Sequence, residues 1–206
     1  MTARTFEGLR SVRPRTEDPR VIVLHWTGGT GGLERLYDVL RATVGPRTPD
    51  GLSVHVGIDA AGHVERWAPD ELVTLHAGSV NPYALGIEVC SPGFSTGSAW
   101  ARERTRGVVR REYEDRIRGR RVRMVDYTAA QHDAVHAIVT EWCDRWRIPR
   151  DVPREADGSL MRRQMTRAEL AAFRGIMGHY HCHATKCDPG TAPLLKLAHR
   201  WGVALT

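Results

Sequence analysis

The 206-residue chain has no apolar run near the roughly 20 residues that a membrane-spanning helix requires, which excludes a helical integral membrane protein. Its first twenty residues carry Arg10, Arg13, Arg15 and Arg20 but no apolar stretch followed by small residues. No secretory signal is read there, and synthesis in a cytoplasm is expected. Cysteine is scarce: Cys90, Cys143, Cys182 and Cys187 form no CxxC pair and are too few for a disulfide framework, so they are expected to be reduced. Internal repeats and low-complexity tracts are absent, which excludes solenoid and fibrous architectures.

The composition that remains suits one soluble domain, with 41% hydrophobic and 26% charged residues at a length that supports one buried core. Lys and Arg outnumber Asp and Glu by 30 to 24, a formal charge of +6. That balance favours a polyanionic partner, either nucleic acid or an anionic cell wall, without choosing between them.

Apolar periods alternate along the chain. Val21-Ile22-Val23-Leu24 reads as a buried central strand ended by Thr27-Gly28-Gly29-Thr30. Leu33, Leu36, Tyr37, Leu40 and Val44 mark an amphipathic helix, closed by Pro46 and the Asp50-Gly51 turn. Residues 53–58 and 63–67 read as strands joined across a short polar connection, and 85–89 as another strand. Thr128 can cap a helix carrying Val135, Ile138, Val139, Trp142 and Trp146 on a core face, with Pro149 as its stop. Thr166 to Glu169 has capping-box form, residues 175–178 suit a strand, and 193–201 a closing helix. The class is therefore α/β, a single domain with a central mixed sheet flanked by helices. Its core covers about residues 20–202. An arginine-rich insertion is expected over about 91–126, with ten arginines against four acids between Arg102 and Arg123 and a hairpin around Gly119.

A catalytic zinc ion needs three protein ligands, drawn from imidazole, thiolate and carboxylate, and one position open to water. His25 stands where the first central strand meets a glycine-rich loop, so its root is rigid while its side chain can face a cleft. Residues 178–190 then place His179, His181, His183, Lys186 and Asp188 in one strand-to-loop segment. On an extended backbone His181 would alternate with His179 and point the same way, which makes it the rival ligand.

Four separated matches carry a resemblance. They are Val-Leu-His25-Trp-Thr; Ser53-Val-His55-Val-Gly-Ile-Asp59 with Gly62; His76-Ala-Gly with Asn81 and Leu-Gly-Ile-Glu88; and Gly-His179 with Lys186-Cys-Asp188-Pro-Gly. Tyr127-Thr-Ala-Ala-Gln131 is a fifth, weaker match. In this order they resemble the zinc-dependent N-acetylmuramoyl-L-alanine amidases of type 2, whose fold is shared with phage lysozyme-amidases and peptidoglycan recognition proteins. The resemblance implies Zn2+ on His25, His179 and Asp188, with Glu88 and Lys186 catalytic. It further implies Trp26, His55, His76 and Asn81 at the substrate.

The chemistry fits these assignments. Glu88 lies in an apolar strand, where a carboxylate is costly unless it faces a polar cleft. As a general base it would take a proton from the zinc-activated water and pass it to the departing amine. Lys186 would face the oxygen that turns negative. Some relatives have a catalytic tyrosine directly before the histidine matched by His55; Val54 stands there, leaving proton transfer to Glu88. His63, His132, His136 and His199 are given no role.

The implied function is hydrolysis of the amide between N-acetylmuramic acid and L-alanine in peptidoglycan. The alternative is a non-catalytic recognition module that holds muropeptide; such modules typically lose the ligand at the Asp188 position, which is present here. Nucleic acid is not the expected partner, because the arginine-rich stretch has only Tyr113 as a stacking aromatic. Contact of that stretch with an anionic wall, a monomeric state, and release or export to reach the wall are the remaining expectations.

Overall fold

The computed structural model describes residues 12–45 and 51–206. Pro46 and Asp50, predicted to close the first helix, lie outside the described residues, as does Arg10.

The sequence run Val21–Trp26 forms the central strand β2, with Val21 to Leu24 fully buried as expected of a parallel strand covered on both faces. It belongs to a five-stranded mixed sheet. The order is β4 (Val64–Arg66), β3 (Val56–Ile58), β6 (Ala84–Val89), β2 and β9 (Gly175–Gly178). Strands β3, β6, β2 and β9 are parallel, and β4 closes one edge antiparallel to β3. Residue alternation assigns the two faces. Ile22, Leu24, Leu85, Ile87 and Ile176 pack on helix α3 (Ala129–Trp146) and helix α6 (Ala192–Arg200), through Val135, Val139, Trp142, Leu194 and Leu197. Val21, Val23 and Met177 face the opposite way, against Val80, Met161, Met165 and Leu170. Helix α1 (Leu33–Ala42) covers the remainder of that face through Leu36, Tyr37 and Leu40, packed with Val54 and Trp67.

Helix α3 begins in a capping box, Thr128 Oγ1 accepting from Gln131 N while Gln131 Oε1 accepts from Thr128 N. Trp142 is wholly buried, whereas Trp146 is partly buried at the rim, and both indole N–H groups donate to Asp70. The second capping box opens α4 (Arg167–Ala172), as its Thr-x-x-Glu pattern predicts.

Several expectations need correction. Val44 lies beyond the end of α1 and is 64% exposed. The 53–58 strand shortens to Val56–Ile58, because Ser53 N bonds to Leu75 O outside the ladder. A strand β1 (Val12–Pro14) pairs antiparallel with β5 (Leu72–Thr74), and a 3-10 helix follows at Gly78–Tyr83. The segment after β9, expected to be extended, turns at once into the short helix α5 (His179–Cys182).

The arginine-rich stretch forms helix α2 (Ser98–Thr105) and the predicted hairpin, β7 (Glu112–Ile117) with β8 (Arg120–Val125). Its turn residues Arg118 and Gly119 have φ of 50° and 73°, the two positive values that suit a two-residue hairpin. The stretch is not the solvated appendage its charge suggests. Arg110 is buried, and its guanidinium donates to Glu103, Gln131 Oε1 and Cys90 O, which pairs a charge that could not otherwise leave water. All four cysteines are free. Among the described residues no helix is long and apolar enough to cross a membrane.

Candidate metal centre and active-site cleft

Parallel strands align their carboxyl ends on one edge of the sheet, where open α/β sheets hold their ligands. Here the register pairs His25 of β2 with Glu88 of β6, and Leu24 with Gly178, so His179 emerges from β9 at the level of His25. The period of two puts His25 and Glu88 on one face of the sheet, and His179, the first residue past β9, brings its ring against His25. Asp188 returns to this point from the following loop.

Three donor atoms converge there. His25 Nδ1 and His179 Nδ1 are 3.0 Å apart, and Asp188 Oδ2 lies 3.2 and 3.1 Å from them. Ligand atoms on a tetrahedron about 2.0 Å from a zinc ion are about 3.3 Å from each other, so the spacing suits that ion. All three residues are buried. Burial, then the neighbouring His179, lowers the pKa of His25 to about 4, which keeps it neutral as a ligand must be. Burial alone would raise the Asp188 carboxyl, but hydrogen bonds with His179 and His25 outweigh it and hold the group well below the usual carboxylate range.

The surroundings orient these side chains. His25 Nε2 lies 2.9 Å from His76 Nδ1, a hydrogen-bonding contact that orients the His25 ring with Nδ1 toward the other two donor atoms. The His76 ring lies over Gly86, where a Cβ would come within 2.7 Å of it. Asn81 Oδ1 accepts from His76 N and Ala77 N and so sets the loop that carries His76. Tyr127 Oη donates to His25 O at 2.8 Å, a support visible beforehand only as part of the family resemblance.

The centre opens into a cleft of about 1000 Å³ lined by Trp26, His76, Glu88 and Lys186 as well as the three candidate ligands. Glu88 is 8% exposed, and its pKa is pushed up to about 8 by burial and then by the charge of Asp188, with Lys186 opposing. Trp26 meets the half-exposed Phe94 edge to face at 5.0 Å. Arg35, Arg102 and Arg106 also line the cleft, and none of the three was assigned a site role from sequence. Their only prior signal was charge density, which does not reveal direction.

Two expected site residues, His55 and Asn81, and the rival ligand His181 stand elsewhere. His55 is fully buried beneath the cleft: Nδ1 accepts from Gly86 N, Nε2 faces Leu72 O, and Arg15 Nη2 lies 3.0 Å from Nε2. Burial and then Arg15 lower its pKa to about 3, which keeps the ring neutral. Asn81 acts through its hold on the His76 loop and does not line the cleft. His181 turns away from the centre because the backbone is helical there; its ring nitrogens face Gly178 N and Met161 O at 3.0 Å.

A family model for N-acetylmuramoyl-L-alanine amidases matches residues 15–191. Curated proteins give no match to the chain. Among solved structures, the chain is similar to the N-acetylmuramoyl-L-alanine amidase LysC from Clostridium intestinale URNW, with 17% identity and a TM-score of 0.55 over 90% of this chain and 87% of that one. It is similar to the amidase AmiD from E. coli, solved with anhydro-N-acetylmuramic acid-L-Ala-D-gamma-Glu-L-Lys: 15% identity, TM-score 0.55, 92% of this chain and 60% of that one. A third similarity is to the ectodomain complex of peptidoglycan recognition proteins LCa and LCx bound to tracheal cytotoxin, at 13% identity and TM-score 0.55, over 98% of this chain and 96% of that one. At these identities the likeness establishes the shared fold.

Proposed function

We propose a specific reaction for this chain, which belongs to the N-acetylmuramoyl-L-alanine amidase family: zinc-dependent hydrolysis of the amide between the lactyl group of N-acetylmuramic acid and L-alanine in peptidoglycan. The observation that carries the reading is the convergence of His25 Nδ1, His179 Nδ1 and Asp188 Oδ2 at the mouth of a cleft that also holds Glu88 and Lys186. Two imidazoles and one carboxylate suit Zn2+ and leave one position open.

When bound, zinc polarises a carbonyl and lowers the pKa of water from about 15.7 to about 7. The side chains then have separate tasks. Glu88 receives the proton of the attacking water and delivers it to the departing alanine nitrogen. Lys186, on the opposite loop, directs its ammonium at the carbonyl oxygen as negative charge develops. Trp26 and Phe94 offer an apolar wall for the glycan or lactyl portion. Arg35, Arg102 and Arg106 put positive charge on the rim, which suits the carboxylates of a stem peptide and an anionic wall. The chain acts as a monomer that reaches the wall after release or export.

The reading is tested by mass spectrometry of purified peptidoglycan after incubation with the zinc-loaded protein, with and without chelator. Free stem peptides with an L-alanine amino terminus are expected only without chelator. The recognition-module alternative gives muropeptide binding with no such product, and that outcome would overturn the hydrolytic assignment.

A further inference from the structure

The loop 183–191 carries both Lys186 and Asp188 yet has no regular structure, and residues 183–186 are exposed. Within the loop Lys186 N donates to His183 O at 3.2 Å, Thr185 N and Oγ1 meet His183 Nδ1, and Gly190 N donates to Cys187 O at 2.9 Å, while Asp188 O accepts from Tyr180 N of α5 at 3.2 Å. A metal ligand must be held to a fraction of an ångström, so a loop with this little internal bonding gains from further ties to a neighbour.

That neighbour is the β7–β8 hairpin, which ties the loop at both ends. At the start, Arg118 Nη1 donates to His183 O at 3.1 Å. At the far end, Asp115 Oδ2 accepts from Thr191 N at 2.7 Å. Between these, the backbone of Gly190 lies so close to the Tyr113 hydroxyl that a Cβ would approach within 2.3 Å. The hairpin is itself anchored, since Asp115 Oδ1 accepts from Arg162 Nη1 at 2.6 Å and Arg118 N donates to Arg162 O at 2.7 Å. Asp115 is 3% exposed in a strand otherwise rich in solvated charge. A buried carboxylate that spends one oxygen on an arginine and the other on a loop N–H is poorly explained by solubility or wall capture.

We propose that the hairpin is the element that positions Asp188 and Lys186, with Asp115 as the main positioning residue and Arg118 as a second tie. It rests on the metal reading above but assigns to the arginine-rich stretch a task inside the catalytic site's support. The bond made to Thr191 N fixes the exit of the loop three residues after Asp188, and the bond to His183 O fixes its start three residues before Lys186.

The test measures zinc affinity by competition with a chromophoric chelator, and the visible spectrum after loading cobalt(II) instead. Asp115→Ala should weaken zinc binding by about 10- to 100-fold, the usual cost of losing an outer-sphere support, and shift the cobalt band. Asp115→Asn, which can still accept from Thr191 N, should recover most of the loss. Arg118→Gly relieves the positive φ and should leave thermal stability unchanged or higher, yet weaken zinc binding several-fold. It decides the question even if Asp115→Ala does not fold. Folded variants with the parent's zinc affinity and cobalt spectrum would overturn the positioning role. A parent that binds no zinc would overturn the metal centre, and this proposal with it, before any variant is compared.

Discussion

Glu88→Gln separates the chemistry proposed for this carboxylate from its cost to the fold. Glu88 is buried beside Asp188, and its pKa is raised to about 8 from an ordinary 4.5. Below pH 4.5 both folded and unfolded chains hold the proton, and the group contributes nothing to stability. As pH rises from about 4.5 to about 8 the unfolded chain releases the proton while the metal-free folded chain keeps it, so stability falls across that window. At about 1.36 kcal/mol per pH unit the penalty is roughly 3 kcal/mol at pH 7, as an upper figure for a cleft that admits some water. Gln removes it, and for a domain of this size the metal-free variant should melt about 6 to 12 °C above the parent at pH 7, with no difference at pH 4. Zinc on the three ligands reverses the local charge, so the gain should shrink in the loaded protein. Turnover of the loaded variant should drop on the order of 10² or more, because an amide cannot accept the proton. Paired melting curves at pH 4 and 7, with and without zinc, and turnover on a soluble muropeptide measure all of this. A pH-independent melting difference would refute the burial argument, and near-parental turnover would move proton transfer away from Glu88.

Three further outcomes follow from the same geometry. His25→Ala should lose most bound zinc by metal analysis, and the melting gain of about 2.7 kcal/mol expected of the parent at 100 times its zinc Kd should disappear with it. His55→Ala should lower stability by about 2 to 4 kcal/mol, since Gly86 N–H and Leu72 O lose a buried partner, while zinc affinity stays near parental; a KM effect without destabilisation would restore His55 to the substrate. Replacing Arg104, Arg116, Arg120 and Arg123, all exposed, with Gln should weaken activity on whole walls at low salt but not on a small muropeptide, and the difference should fade as screening shortens from about 10 Å at 0.1 M to about 3 Å at 1 M.

The sheet and both capped helices were legible because their signals are local: an apolar run, a 3.6-residue period, and Thr with Gln or Glu three residues on. The convergence of His25, His179 and Asp188 was legible through resemblance and through strand-end placement. What escaped was set by distant packing. His55 and His76 carry similar local surroundings in sequence, yet one lies under the sheet edge bonded to Gly86 N and the other leans over Gly86 to reach His25. Whether His179 or His181 faces His25 and Asp188 depended on the backbone turning helical after Gly178, and no propensity in Gly-His-Tyr-His-Cys announces that turn. The strand β1 pairs across sixty residues with β5, too far for any local pattern to reveal.

The arginine-rich stretch shows why composition misleads about function. A run of ten arginines predicts a solvated, partner-seeking surface, because an unpaired guanidinium stays in water. The four acids interspersed with them change the outcome. Glu103 draws Arg110 into a buried network with Gln131, and Asp115 draws Arg162 and the loop of Asp188 onto the hairpin. What matters is which carboxylates are buried, since each must find donors, and Asp115 finds them in Arg162 and in Thr191 N–H at the end of the loop that carries Asp188. The net charge of the stretch thus describes its outer face, while two minority residues describe its attachment. A charge-neutral hairpin that kept Asp115, Tyr113 and Arg118 should still support the centre, whereas one that kept every other arginine but lost Asp115 should not.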